Sequence, residues 1–344
     1  MRNGPVHRSL HVLCAFVAIL LCVPPVEAQA RWYRGNTHTH TVNSDGDSSP
    51  DTVVRWYKEH GYNFIVITDH TYAGREGVLT PVEGLNVLFA RPGTFLVLSG
   101  VEVTDRFEGQ PVHLNGIGVR QAVVPQGGAS VTEILNRDAQ AIREAGGVAQ
   151  INHPNYFWTV TAEHLTGATS AQHFELWNGH PGVHNRGGGG KASTEELWDT
   201  VLSTGRILYG MAADDSHHFK PECTPSLVCP GRAWIMVRAS ELTREALLEA
   251  IQRGEFYATT GIELRNYAAD ANGIRIELPV GDQRNPTRYR TFFVGKDGVV
   301  LKQDESLTAS YSFTGDELYV RARVEASTGA VAWTQPVFLK DVRK

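Results

Sequence analysis

Short apolar runs in this chain end, one after another, on histidine or a carboxylate. The first instance is the stretch Gly35-Asn36-Thr37-His38-Thr39-His40-Thr41-Val42-Asn43-Ser44-Asp45-Gly46. If residues 37–40 end a strand, side chains alternate with period two and His38 and His40 face the same side, where both imidazoles can reach one ion. The run 64–68, Phe-Ile-Val-Ile-Thr, is the continuous apolar stretch a buried parallel strand needs, and it ends on Asp69-His70. Gly100-Val101-Glu102 closes the run 95–98, and Asn152-His153-Pro154 closes 148–151. Asp214-Asp215-Ser216-His217 follows 208–213, while His113 opens a short run of its own. Packing alone does not want charged groups at the ends of so many apolar segments. A metal centre is the economical explanation.

The same runs dictate a fold class. Ser49-Pro50-Asp51 is a helix start, with Ser49 as cap and Pro50 at the first helical position, and Gly61 stops that helix before the next strand. Ser130 with Glu133 forms a capping box for a second helix that Gly146-Gly147 ends, and Ser193 opens a third that ends at Gly205. Residues 173–177 read as a strand, and 233–237 followed by a helix over 242–253 as the last unit. Residues 71–93 read as a loop with a short helix over the site, and 105–112 as a polar loop. Strands alternating with helices predict a parallel α/β architecture, and ligands gathered from at least six strand ends predict a barrel with one mouth. Beyond Thr260-Gly261 the texture changes to strand-like runs at 274–278, 289–294, 311–313, 318–324 and 331–333, which predict a small antiparallel β-sandwich. The expected organisation is residues 1–30 as a signal segment, 31–260 as the barrel and 261–344 as the sandwich.

Arg2 and Arg8, the apolar stretch 12–23 and the small-x-small Ala28-Gln29-Ala30 predict a secretory signal, with the mature chain starting near Arg31 in the periplasm or outside the cell. About a dozen apolar residues are too few to cross ~30 Å of hydrocarbon, so no membrane span is expected after processing. Cys22 lacks the small preceding residue a lipoprotein site would want. Cys14 and Cys22 leave with the signal, and the remaining pair, Cys223 and Cys229, reads as a disulfide in an oxidising compartment. A net charge of −5, with no Lys/Arg run anywhere, provides no basic footprint for nucleic acid. The expected partner is a small-molecule substrate.

Taken together, His38-x-His40, Asp45, Thr68-Asp69-His70, Glu102, His113, His153 and Asp215-x-His217 resemble the motif series of the PHP (polymerase and histidinol phosphatase) superfamily over residues 35 to about 260. Gly100-Val101-Glu102-Val103-Thr104, His113-Leu114-Asn115-Gly116-Ile117-Gly118, Gly254-Glu255-Phe256-Tyr257-Ala258-Thr259-Thr260-Gly261 and the tail around Ala332-Trp333-Thr334-Gln335-Pro336 are similar to the branch that includes carbaryl-type carbamate hydrolases. The resemblance implies a distorted (β/α)7 barrel with up to three metals at its mouth. By it, His38, His40, Glu102 and Asp215 hold a first ion, and Glu102 bridges to a second completed by His113 and His153. Asp45, His70 and His217 hold a third.

On this reading Glu102, Asp215 and His217 carry the catalytic roles. Arg232 receives substrate charge or forms a structural salt bridge. The same alternatives stay open for Glu175 and Asn178. Asp214 and His218 are left as an outer acceptor and an exposed loop residue. Nitrogen and oxygen ligands without thiolate suit two or three Zn, Mn or Fe ions. Such ions lower the pKa of bound water to ~7 and supply a hydroxide, so no Ser or Cys nucleophile is required. The implied activity is hydrolysis of small phosphate mono- or diesters, with carbamate or amide hydrolysis as the alternative. A secreted binding protein with structural metals is the non-enzyme alternative, against which nine potential ligands leave open positions for water.

Overall fold

Residues 1, 4, 30–72, 79–220, 222–281 and 287–342 are described in the computed structural model. The signal-like segment expected over 1–30 lies almost wholly outside them. Among the described residues no helix is long and apolar enough to cross a membrane.

β1 (Arg31–Asn36) runs parallel to β2 (Phe64–Ile67), and α1 (Pro50–Glu59) connects them. Pro50 sits at the start of α1 as expected, with Asp51 in the first turn and Lys58 in the last, both signs favourable to the helix dipole. Ser49 does not cap it: its hydroxyl goes to Asp51 Oδ1 at 2.5 Å and to Thr52 rather than to a backbone N–H. Val53, Val54 and Tyr57 form the buried face. Gly35 is required where β1 meets β2, because a Cβ there would stand 2.0 Å from the Phe64 ring.

The two-residue β3 (His70–Thr71) and then α2 (Glu83–Phe89) lead into β4 (Leu96–Phe107), which pairs with both β2 and β3 in parallel. Here the structure departs from the expected polar loop at 105–112. β4 continues to Phe107, turns at Glu108 and Gly109 with φ of 50° and 79°, and returns antiparallel as β5 (Gln110–Ile117). Two successive left-handed residues are what a tight hairpin needs, and the polar residues decorate it rather than interrupt it. His113 therefore lies inside a strand, opposite Thr104.

α3 (Val131–Glu144) precedes β6 (Val148–Ile151), α4 (Ala162–Gly167) precedes β7 (His173–Asn178), and α5 (Thr194–Ser203) precedes β8 (Tyr209–Ala213). β5–β6 is antiparallel, whereas β6–β7 and β7–β8 are parallel. Beyond the strands proper, Thr39 bridges Ser216 in parallel and brings the end of β1 to the end of β8. One apolar cluster draws Tyr33, Phe64, Val66, Leu98, Ile117, Val148 and Met211 from six of these strands, so the sheet curls about a shared interior.

The expected last parallel unit is different. β9 (Trp234–Ala239), α6 (Arg244–Gln252) and β10 (Phe256–Thr259) follow, but β9 runs antiparallel to β1 and to β10. The chain then adds β11 (Asn266–Ala269), β12 (Gly273–Glu277), β13 (Tyr289–Val294), β14 (Val300–Asp304), β15 (Thr308–Ser312), β16 (Tyr319–Ala326), β17 (Val331–Thr334), β18 (Val337–Phe338) and α7 (Leu339–Val342). β11, β12 and β15 form a three-stranded antiparallel sheet. The other large strands of this region extend the main sheet, whose order is β14-β13-β16-β17-β10-β9-β1-β2-β4-β5-β6-β7-β8. Ile274, Ile276, Phe293, Val320, Ala322 and Val324 pack between the two antiparallel sheets. The C-terminal region is thus antiparallel as expected but not separate: Trp333 of β17 pairs with Ala258 of β10 in one continuous sheet.

Candidate metal centre

β1 stops at Asn36, yet the chain stays extended through the Thr39–Ser216 bridge, so His38 and His40 keep the alternation that aims them together. Both are fully buried. Their Nε2 atoms lie 3.1 Å from Asp215 Oδ1, and 3.2 and 3.3 Å from Glu102 Oε2. The β3–β4 register sets His70 beside Glu102, with His70 Nδ1 3.1 Å from Oε2. The other oxygen of Glu102 faces elsewhere. Oε1 is 3.1 Å from His113 Nδ1 and 3.2 Å from His153 Nε2. On the open side, half-exposed Asp45 lies 3.4 Å from His217 Nε2, 3.5 Å from His70 Nε2 and 3.6 Å from His40 Nδ1.

All nine expected ligands therefore meet at one place. Ligand atoms within 4.8 Å of one another form three groups: His38, His40, Glu102 and Asp215; His40, Asp45, His70 and His217; and His70, Glu102 and His113. His70 belongs to two of these groups, and His153 joins through Glu102 Oε1.

The donor set fits cations better than it fits itself. His38 Nε2 and His113 Nε2 are buried without a hydrogen-bond partner, and for His38 this holds although two carboxylate oxygens lie close by. Side chains that converge on a point without pairing are arranged around something. Burial opposes ionisation of Glu102, yet the imidazoles of His70, His38 and His113 hold its carboxyl well below the usual range. Burial takes His40 down to about 4, with His217 and His70 adding to the effect. Burial also lowers His217, but Asp45 and Asp215 lift it to about 9. The positive charge that these carboxylates ask for is what a divalent ion supplies.

Strain marks the same spot. His153 and Asp215 have φ of 26° and 52°, a region that side chains other than glycine seldom adopt and that a structure holds only where its surroundings impose it.

Glu175 is a buried carboxylate next to the ligands. Its Oε1 is 2.7 Å from His38 Nδ1, and its Oε2 accepts the backbone N–H of His153 and the amide of Asn178, each at 2.7 Å. It thereby turns His38 Nε2 toward Glu102 and Asp215, the usual task of a carboxylate behind a metal ligand. Asn178 also donates to Asp215 Oδ2 at 3.1 Å.

Asp69 accepts from Thr41 N–H and Oγ1, Ser44 and Thr80, and so ties down the loop that carries Asp45. Asp214 accepts from Asn36, Tyr57, and the backbone N–H groups of Gly231, Arg232 and Ala233. None of these five donors belongs to the expected ligand set.

The Arg232 guanidinium donates to the carbonyls of Gly179 and Thr224, each at 2.9 Å, beside the Cys223–Cys229 disulfide. These contacts hold loops together, and Arg232 is not among the residues around the metal cavity. That cavity, of about 270 Å³, is lined by seven of the nine expected ligands, all but the fully buried His38 and His40, together with Tyr156, His180, His218 and Val228. Sequence reasoning missed Tyr156 and His180. His180 lies two residues after Asn178 and follows no apolar run directly, so the signal that found the ligands could not find it.

The chain matches no protein-family model and no curated protein. Among solved structures it resembles a two-domain protein from Bacteroides vulgatus containing a predicted PHP-like metal-dependent phosphoesterase, with a TM-score of 0.50 and 15% identity over 90% of this chain and 96% of that one. An amidohydrolase from Chromobacterium violaceum with bound sulfate and no metal scores 0.38 at 17% identity, over 57% of this chain and 93% of that one. A lesion-specific endonuclease from Pyrococcus furiosus scores 0.36 at 13% identity, over 65% and 56%. Across nearly its whole length, the chain has the fold of the two-domain PHP-like protein.

Proposed function

We propose that this chain is a metal-dependent hydrolase with the PHP-type fold, acting on small phosphate mono- or diesters through two or three Zn, Mn or Fe ions. One observation carries the reading. The two oxygens of buried Glu102 face different imidazole sets, Oε2 toward His38, His40 and His70, and Oε1 toward His113 and His153. This arrangement supports a carboxylate shared between two cations. When bound, such ions bring the pKa of water to ~7 and offset charge developing on a substrate oxygen.

The chain's own residues do the rest. Glu102 and Asp215 would supply the negative charge that holds the ions, and Glu175 fixes the tautomer and direction of His38. Asn178 steadies Asp215, and Asp45 with His217 lies on the more open side. Among the described residues no Ser, Thr or Cys lines the cavity, which favours water over a side-chain nucleophile. The curling sheet and the Thr39–Ser216 bridge support reading the first seven long strands as the distorted barrel, with β5 reversed. The signal-like start and the paired Cys223 and Cys229 support export.

The test is reconstitution of the purified protein separately with Zn, Mn and Fe, assayed on 4-nitrophenyl phosphate, bis(4-nitrophenyl) phosphate and aryl N-methylcarbamates. Metal-dependent release of phenol from a phosphate ester is the expected result. Release only from carbamates would move the activity to carbonyl hydrolysis. A metal-loaded protein inert on every member would leave the structural-metal alternative standing.

A further inference from the structure

Of the six histidines lining the metal cavity among the described residues, His70, His113, His153 and His217 each lie within 3.5 Å of a carboxylate oxygen, whereas His180 and His218 make no ion pair with a described residue. Their backbone surroundings decide what they offer instead. His180 Nδ1 accepts the Gly182 N–H at 2.9 Å, and His218 Nδ1 accepts the Val228 N–H at 3.2 Å. A nitrogen that accepts a backbone N–H leaves the other ring nitrogen, Nε2, as the one free to donate. Neither Nε2 has a hydrogen-bond partner among the described residues.

The two differ in what else they border. His218 lines the metal cavity alone. His180 also lines an adjoining hollow of about 650 Å³, together with Asn178, Arg232 and Thr260 and, from the turn between β16 and β17, Thr328 and Ala330. Its position is fixed from the metal side, since its own N–H donates to Asn178 Oδ1 at 2.7 Å and the Asn178 amide donates to Asp215. A substrate whose reacting head lies among the ligands and whose remainder runs into the hollow must pass His180 at the bond that joins the two.

We propose that the Nε2–H of His180 hydrogen-bonds the leaving-group oxygen of the substrate, and that the leaving group occupies the hollow walled in part by the C-terminal region. His218 Nε2–H serves the reacting head. This assignment rests on the hydrolase reading above. Because a fixed donor matters most where negative charge develops most, the benefit of His180 grows as the leaving phenol becomes less acidic.

The experiment compares phenyl esters of one class, 4-nitrophenyl, 4-chlorophenyl, phenyl and 4-methylphenyl phosphates, in the metal-loaded protein. The matching carbamates replace them if those are what it hydrolyses. His180→Asn keeps an acceptor near the position of Nδ1 for the Gly182 N–H and removes the Nε2 donor. His180→Gln returns an amide donor near the position of Nε2. In His180→Asn, kcat is expected to fall by ~10²-fold on the 4-methylphenyl ester and only a few-fold on the 4-nitrophenyl ester. His180→Gln recovers most of the loss, metal content is unchanged, and His218→Asn lowers all four by a common factor. His180→Leu serves as a second donor-less variant if His180→Asn does not fold. A loss equal across the series, no loss at all, or loss of metal from both donor-less variants would overturn the assignment. Failure of the native protein to hydrolyse any ester would instead count against the hydrolase reading.

Discussion

Two buried clusters of charge in this molecule have similar ingredients and opposite construction. At the junction of α5 with the C-terminal strands, Arg321, 1% exposed, donates from Nε to Asp199 Oδ1 at 2.8 Å and from Nη2 to Asp199 Oδ2 at 2.6 Å and Glu195 Oε1 at 2.8 Å. Tyr319 and Trp333 donate to the same two carboxylates, Arg323 approaches Glu195, and Trp198 lies against the guanidinium. Two arginines face two carboxylates, and the formal charge closes within the cluster even though Arg321 Nη1 and Arg323 Nε have no hydrogen-bond partner. Around Glu102, no arginine or lysine among the described residues pairs with a carboxylate. Three carboxylates face a set of imidazoles, two imidazole nitrogens are left without partners, and two residues hold left-handed backbone. A cluster whose charges close on one another is a fastener, whereas one whose carboxylates converge on imidazoles without a fixed cation is a receptacle.

The largest effect expected to sharpen this contrast comes from Glu102→Gln, which keeps the shape and removes one negative charge from between the imidazole sets. Metal content and hydrolysis should fall together, hydrolysis by more than the ~10²- to 10³-fold that loss of one stabilising donor costs. Metal analysis alongside kinetics checks it. Full metal content with undiminished turnover would mean that the bridge is assigned wrongly.

Next comes Arg321→Ala, which leaves Asp199 buried without its cation and should destabilise the fold by about 3–5 kcal/mol in denaturant titration. Bound metal per folded chain should not change. A second difference follows from linkage. A chelator should lower the melting temperature of the native protein, since a ligand at 100 times its Kd adds about 2.7 kcal/mol. It should lower that of Arg321→Ala by a similar increment, because the two clusters share no residue. If chelation has no effect on either, the Glu102 cluster closes on itself after all and the contrast fails.

The two clusters also differ in how far they could be read from sequence. Most of the candidate ligands were legible because strand alternation and the ends of apolar runs place residues without knowledge of tertiary contacts, whereas Asp45 came only from the family resemblance; the structure brings all nine together. His113 was found by its neighbours although its strand was misjudged, since nothing in the polar stretch 105–112 announced a left-handed pair at Glu108 and Gly109. The fastener was illegible. Glu195 and Asp199 look like ordinary helix residues, and Arg321 alternates in a strand more than a hundred residues later, so only the folded sheet shows that they meet. For the same reason the continuity of β17 with β10 escaped a reading that saw a separate sandwich: pairing between distant strands is not encoded in either strand alone.

A smaller effect is expected from Glu175→Gln, which preserves the volume but weakens the hold on His38 Nδ1 and on the His153 backbone. An outer-carboxylate change of this kind costs 10- to 100-fold in metal affinity, on the order of 1.4–2.7 kcal/mol. Competition against a chelator of known affinity reads it directly. Unchanged affinity with lowered stability would place Glu175 with the fasteners.

Asp214 and Asp215 draw the boundary between the two kinds of cluster most narrowly, since they are adjacent in sequence and belong to different kinds. Asp215 faces the imidazoles of His38 and His40, whereas Asp214 is enclosed by five donors from Asn36, Tyr57, Gly231, Arg232 and Ala233. Tyr57→Phe removes one of the five and also the contact of the phenol with Ser216 Oγ at 2.8 Å. Because four donors remain, the cost should be that of one ordinary hydrogen bond, about 1 kcal/mol, visible in the denaturation midpoint. Metal content should not move, since Asp214 has no oxygen to spare for an ion and the Thr39–Ser216 backbone bridge still ties the end of β8 to His40. Loss of metal from Tyr57→Phe would show instead that the strained turn at Asp215 depends on every contact of its neighbour, and that fastener and receptacle are here one structure.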